Sequence, residues 1–186
     1  MVSFAWPIRR TSDLGEALRL VTGLLALADT SEMTVALRAT VDELPVLHRV
    51  QELVGALNWW TLDKAFEISS FGHVGARPED HLPVVLDGEV DSAEAVAGFL
   101  DAVRSGAARL TWDFAGWPAM PEAGLGSTGE RCAFVTLVKN ATDLDLRDAS
   151  AGHVVFVHAI QHEEIRARML AARVGCEVLG EGHSFP

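Results

Sequence analysis

Cysteine is scarce in this chain: Cys132 and Cys176 are the only two in 186 residues. A small secreted domain held by disulfides needs more, so both are expected as reduced core residues of a cytoplasmic protein. Basic residues are also few. Lys and Arg number 15 against 26 Asp and Glu, for a net charge of -11. They are scattered, so no patch is set up to neutralise a phosphate backbone, and nucleic acid is not expected as a partner. No long apolar run is present either. The most apolar stretch, residues 18–28, is too short to span a bilayer and is interrupted by Thr22 and Gly23, so no membrane partner is expected. The first residues lack an apolar segment behind a basic one, so no signal peptide is expected. Internal repeats and low-complexity segments are absent from the sequence as well.

What is present is enough for a packed core. Hydrophobic residues make up 49% of the chain, which supports folding without metal or disulfide staples, and charged residues at 22% argue against disorder. The length suits one domain over residues 1–186, with the Gly, Pro and His-rich stretch near 72–81 as the place where it would divide.

The most telling stretch is 153–180. Val154, Val155, Phe156 and Val157 form a short continuous run expected of a strand buried on both faces. A helix follows, with Ile165, Met169 and Ala172 as its apolar face. Glu163 and Glu164 sit at its positive end and the arginines further along. Gly175 is placed to end the helix, and 176–179 reads as a strand. Strand, helix and strand together predict a parallel β-α-β unit.

Earlier in the chain, residues 2–6 suggest a strand. Ser12 or Asp13 can cap a helix to about residue 28. Met33, Val35, Leu37, Ala39 and Val41 alternate with polar residues as a half-buried strand does. Asp42 can cap an amphipathic helix with Pro45 in its first turn. Residues 59–62 and 66–68 read as extended, and 82–86 as a strand. Asp91 and Glu94 form a capping-box pattern before a helix. Strands are expected at 109–114 and 131–139, with a long loop between them and a turn at 143–148. The sum is an α+β fold: a mixed sheet with helices packed on it. The second half is ferredoxin-like in its order of elements, with an extra strand.

Three patterns look like sites and read better as ordinary structure. Gly124, Gly126 and Gly129 spell G-x-G-x-x-G but lead into a strand instead of opening a helix, so no cofactor is expected. Asn140 begins a glycosylation tripeptide without any other sign of secretion. Asp143, Asp145 and Asp148 lack the glycine and distal glutamate of a calcium loop.

Two groups remain as candidates. His158, His162 and Glu163 lie where a strand passes into a helix. There an imidazole is kept neutral and can serve as a base, or as a metal ligand with His73 or His81. The plainer reading is a hydrogen-bonded strand-end residue beside an exposed one. Trp60, Trp112, Asp113 and Trp117 stand beside or within the loops and could line a pocket or anchor an interface. Core filling is the ordinary explanation for such aromatics. The leading functional expectation is an acidic binding or interaction module that recognises a protein partner or a small apolar ligand through aromatic loops. The alternative is a small enzyme, metal-dependent or free of cofactor, using His158 and His162.

Overall fold

A computed structural model describes residues 3–54, 56–61, 77–128, 133–160 and 162–185. Its chain order is β1 (Ser3–Thr11), α1 (Leu14–Leu25), β2 (Thr34–Val41), α2 (Leu44–Leu53), β3 (Leu57–Thr61) and β4 (Val84–Val90). It continues with α3 (Ala93–Ala102), β5 (Ala108–Asp113), β6 (Phe134–Ala141), β7 (Ala149–Ile160), α4 (Glu164–Arg173) and β8 (His183–Phe185). The fold is α+β. One eight-stranded sheet runs in the order β3-β4-β2-β5-β6-β7-β1-β8, and every neighbouring pair is antiparallel. The sheet is therefore antiparallel rather than mixed. The expected strand at 66–68, the 72–76 part of the dividing loop, Cys132 and Gly129 lie outside the described residues.

Strands from the two halves of the chain interleave. β2 separates β4 from β5, and β1 separates β7 from β8. The C-terminal β-α-β unit is thus a split one, with its two parallel strands on either side of β1. Residues 176–179 form no strand. Leu179 N donates to Pro7 O at 2.8 Å, but Pro7 has no N–H to return, and β1 shifts register between Pro7 and Arg9. The ladder on that edge forms further along, where Ser3, Phe4 and Ala5 pair with β8. The run β2-α2-β3-β4-α3-β5 lies in the sheet as β3-β4-β2-β5. The remaining elements, β1-α1 and β6-β7-α4-β8, lie in the corresponding order β6-β7-β1-β8.

Each helix turns its apolar stripe to the same face of the sheet. Ala17, Val21 and Leu24 of α1, Leu47 and Val50 of α2, Phe99 and Leu100 of α3, and Leu170 and Ala171 of α4 all join one core. Val35, Leu37, Ala39 and Val41 of β2 meet them there, as the alternation predicts. Residues 154–157 of β7 are buried on both faces: Val155 and Val157 enter the helix-side core, Val154 and Phe156 a smaller cluster behind the sheet. That second cluster contains no helix residue. Among the described residues, the face opposite the helices carries no helix and is covered locally by residues 142–148, where Leu144 and Leu146 pack.

Local signals explain several helix ends. Asp13 caps α1, accepting from the amides of Gly15 and Glu16. Gly175 follows α4 with φ 74°, a backbone position that favours glycine. Two expected caps are displaced. Ser92, not Asp91, caps α3 through Ala95 N, and α2 begins after Glu43 without a side-chain cap, its Pro45 supplying the fixed φ. The face of α4 differs too. Ile165 is 50% exposed, while Arg166 is buried with Ala167 and Leu170. Alanine and leucine let the helix approach the sheet closely, and Arg166 is tolerated there because its donors are filled. It pairs with Glu163 and donates to Pro118 O and Gly126 O. Glu164 and Arg168, four apart, form an ion pair on the exposed face of α4.

Candidate functional site

His158 is fully buried in β7. Its Nε2 is 2.8 Å from Thr136 Oγ1, which is 3.0 Å from Thr111 Oγ1, so three side chains on neighbouring strands form a buried polar line. Phe185 and Phe134 close over the ring, edge-on, with centroids at 4.5 and 5.6 Å. Nδ1 has no hydrogen-bond partner among the described residues. Burial, with Arg109 nearby, pushes the imidazole down to about 3, so it is neutral at physiological pH. A hydroxyl against a histidine nitrogen is the opening geometry of a nucleophile–base pair. Here Thr136 and His158 are both at 0% exposure and no third group among the described residues orients Nδ1.

The structure does not bring the other histidine candidates to this one. His162 lies past the end of β7 and is exposed, whereas His158 is enclosed in the sheet. Glu163 turns to Arg166. His81 stacks on Trp59 at 5.5 Å, and His73 lies outside the described residues. Among the described residues, no three His, Cys, Asp or Glu side chains stand close enough to hold a metal ion. Cys176 is a free, half-buried thiol.

The aromatic candidates divide. Trp112 and Trp117 belong to the helix-side core, Trp117 at 1% exposure. Trp117 packs edge-on against Phe114 at 4.8 Å and its Nε1 donates to His158 O at 2.7 Å. Neither indole is offered to a partner, because both side chains point toward the helices where apolar burial is greatest. Asp113 ends β5, half-buried, opposite Thr34 and Phe134. Trp60 of β3 is half-buried on the helix-free face, with the Arg38 guanidinium 5.4 Å from its ring. The Asn140 amide donates to Ser105 O and Gly106 O, which ties it into the fold. Asp143 organises its turn by accepting from the amides of Asp145, Arg147 and Asp148.

Two clefts meet on the helix-free face. The first, of 720 Å³, is lined by Ala36, Asn58, Asp87, Glu89 and Arg109 among others. The second, of 440 Å³, lies between residues 142–145 and β8, with Phe156 and Arg109 in its lining. Arg109 is common to both. It stands in a cross-strand row that reads Asn58, Asp87, Arg38, Arg109, Val138 and Val154 across six strands. Two arginines directly opposite each other are unfavourable. Asp87 bonds directly to one of them: it takes Arg38 through Nε and Nη2, both at 2.6 Å, which holds the Arg38 guanidinium protonated, while its charge and that of Asp145 favour Arg109 only from further away.

Arg109 differs from the other enclosed cations. Arg166 has a carboxylate and two carbonyls. Lys139 donates to the carbonyls of Val103, Arg104 and Gly106. Arg109 makes one hydrogen bond among the described residues, to Leu144 O at 2.8 Å, and no carboxylate comes within ion-pair distance. Phe185 lies over its guanidinium at 5.4 Å. Burial first and Arg38 second bring its pKa down to about 10. An incoming anion would supply the charge that the fold withholds.

No family model, no curated protein and no solved structure matches this chain. No helix among the described residues is long and apolar enough to cross a membrane.

Sequence reading overlooked Arg109, Arg38, Asp87 and Phe185. The alternation of β2 put Arg38 on the face away from the core. What set Arg109 beside it is a strand pairing between residues 71 positions apart in the chain, which no local pattern encodes.

Proposed function

We propose that this protein is a binding module that works through the helix-free face of its sheet, where it holds a small ligand by an anionic group on Arg109. One observation carries the reading: a half-buried arginine, without a carboxylate partner among the described residues, lines both clefts. Clefts of this size suit a small molecule better than a protein surface. The burial of Trp112 and Trp117 also weighs against aromatic anchoring of a protein partner. The acidic balance of the chain favours a small anion over a polyanion such as nucleic acid. For the enzyme reading, His158 would need access and His162 would need to approach it, so we favour binding. On the fold, we read the two β-α-β-β-α-β arrangements as ferredoxin-like units, one inserted between α1 and β6 of the other, in place of the single unit expected in the second half.

The test is a titration of the isotope-labelled chain with inorganic phosphate and with acetate, read by amide chemical shifts. Shifts should cluster at residues 36–38, 87–89, 109, 142–145 and 182–185 and disappear in Arg109→Gln. Shifts confined to other surfaces, or none at millimolar anion, would reject the open face as the binding site.

A further inference from the structure

The second cleft carries enough detail to name its ligand class, an inference that rests on the binding reading above. Phe156 of β7, Leu144 of the 142–148 turn and Phe185 of β8 are in its lining. All three are apolar. The polar groups around it are mostly committed. Asp143 gives both carboxylate oxygens to the backbone amides of its own turn, and Asp145 pairs with Arg147 at 3.4 Å. Arg109 is the Lys or Arg in the lining of the cleft, and its one hydrogen bond among the described residues, to Leu144 O, leaves most of the planar fork for a ligand.

Charge decides between ligand classes. Asp143 and Asp145 border this cleft, and Asp87 and Glu89 border the adjoining one. Asp87 and Asp145 are paired with Arg38 and Arg147, so a dianion or trianion would gain one guanidinium while facing the further carboxylates Asp143 and Glu89. A single negative charge is balanced by Arg109 alone. A carboxylate also matches the guanidinium fork geometrically, with two parallel N–H···O bonds. The apolar side chains of the lining then call for an apolar body behind the carboxylate, because burying a polar one there would leave its groups unsatisfied.

We propose that the cleft between residues 142–148 and β8 is a monocarboxylate site, in which Arg109 takes the carboxylate and Phe156, Leu144 and Phe185 enclose a short aliphatic chain or single ring. Thr142, His183 and Ser184, also in the lining, are further polar groups around it. Specificity comes from two exclusions: the surrounding carboxylates reject multiply charged anions, and the guanidinium rejects neutral amides of the same shape.

Calorimetry on the full chain with hexanoate and benzoate tests this, against hexanamide and benzamide as neutral isosteres and against phosphate and citrate as multiply charged anions. At least one monocarboxylate should bind, and the amides should bind about tenfold or more weakly. Phosphate and citrate should be weaker than the monocarboxylates. Arg109→Gln should abolish binding, Arg109→Lys should weaken it while keeping the charge, and Phe185→Ala should weaken the monocarboxylates without unfolding the protein. Circular dichroism checks that each variant is folded. If phosphate or citrate binds as well as the monocarboxylates through Arg109, the ligand class is wrong and the anion-binding face stands. If no anion binds, or if binding survives in Arg109→Gln, both readings fall. If Arg109→Gln does not fold, undiminished monocarboxylate binding by both Arg109→Lys and Phe185→Ala overturns the site.

Discussion

His158 makes the protein sensitive to mild acid in a way that can be calculated. Its ring is fully enclosed by Thr136, Phe134 and Phe185, and burial lowers its pKa from 6.5 to about 3. In the unfolded chain the same ring regains its ordinary affinity for a proton. Below pH 6.5 the unfolded state therefore binds more protons than the folded state, and stability falls as pH falls. The loss starts near 6.5, runs at about 1.4 kcal/mol per pH unit, and levels off near 3. Between pH 7 and pH 5 it amounts to about 2 kcal/mol. His153, whose pKa is also lowered, by burial and then by Lys139, contributes in the same sense. The carboxylates with depressed values, Glu16, Asp29 and Glu79, act mainly lower, as pH falls below their ordinary range. A comparison with His158→Gln isolates the one ring, because glutamine can still hydrogen-bond Thr136 and does not titrate. Urea denaturation at half-unit steps from pH 7.5 to pH 5 should show the wild type losing about 2 kcal/mol more than the variant. Parallel curves for the two proteins would refute the buried neutral histidine. Should the variant fail to fold, proton NMR of the wild type gives the same answer: the His158 ring signals should not move between pH 8 and pH 5. A ring that titrates near 6.5 would mean that it is open to water.

Two further outcomes concern residues whose roles are structural. Trp117→Ala should cost about 3–5 kcal/mol, through the cavity it leaves and the lost hydrogen bond to His158 O, as measured by chemical denaturation; a change within error would place the indole at the surface and restore it as an interface anchor. Lys139→Met should cost about 2 kcal/mol, because the carbonyls of Val103, Arg104 and Gly106 after α3 would lose their shared charged donor. Faster amide exchange at the end of α3 should accompany it, and unchanged exchange would show that water replaces the lysine.

Parts of this protein follow from local sequence alone. The alternation from Val35 to Val41 sets one side of β2 into the core, because successive strand residues point to opposite faces. The run from Val154 to Val157 predicts a strand buried on both sides, and β7 is one. Asp13 and Gly175 mark the ends of α1 and α4 through their own hydrogen bonding and backbone freedom. These features depend on a residue and its near neighbours.

The rest depends on which strands pair. Residues 153–179 read as an adjacent parallel β-α-β unit, but β1, from the other end of the sequence, occupies the space beside β7. Trp112 and Trp117 look like loop aromatics until the sheet assigns one side of β5 and its following loop to the helices. Arg166 looks like a solvated helix residue until the carbonyls of Pro118 and Gly126 come within reach of it. The candidate site is the strongest case. Arg38 and Arg109 each read as an ordinary charged strand residue, and only the β2–β5 register puts them side by side. The β2–β4 register then gives Asp87 to Arg38 alone. That Arg109 has no direct carboxylate partner among the described residues is a property of that arrangement, since electrostatic balance is set by distances through space and the sequence specifies only distances along the chain.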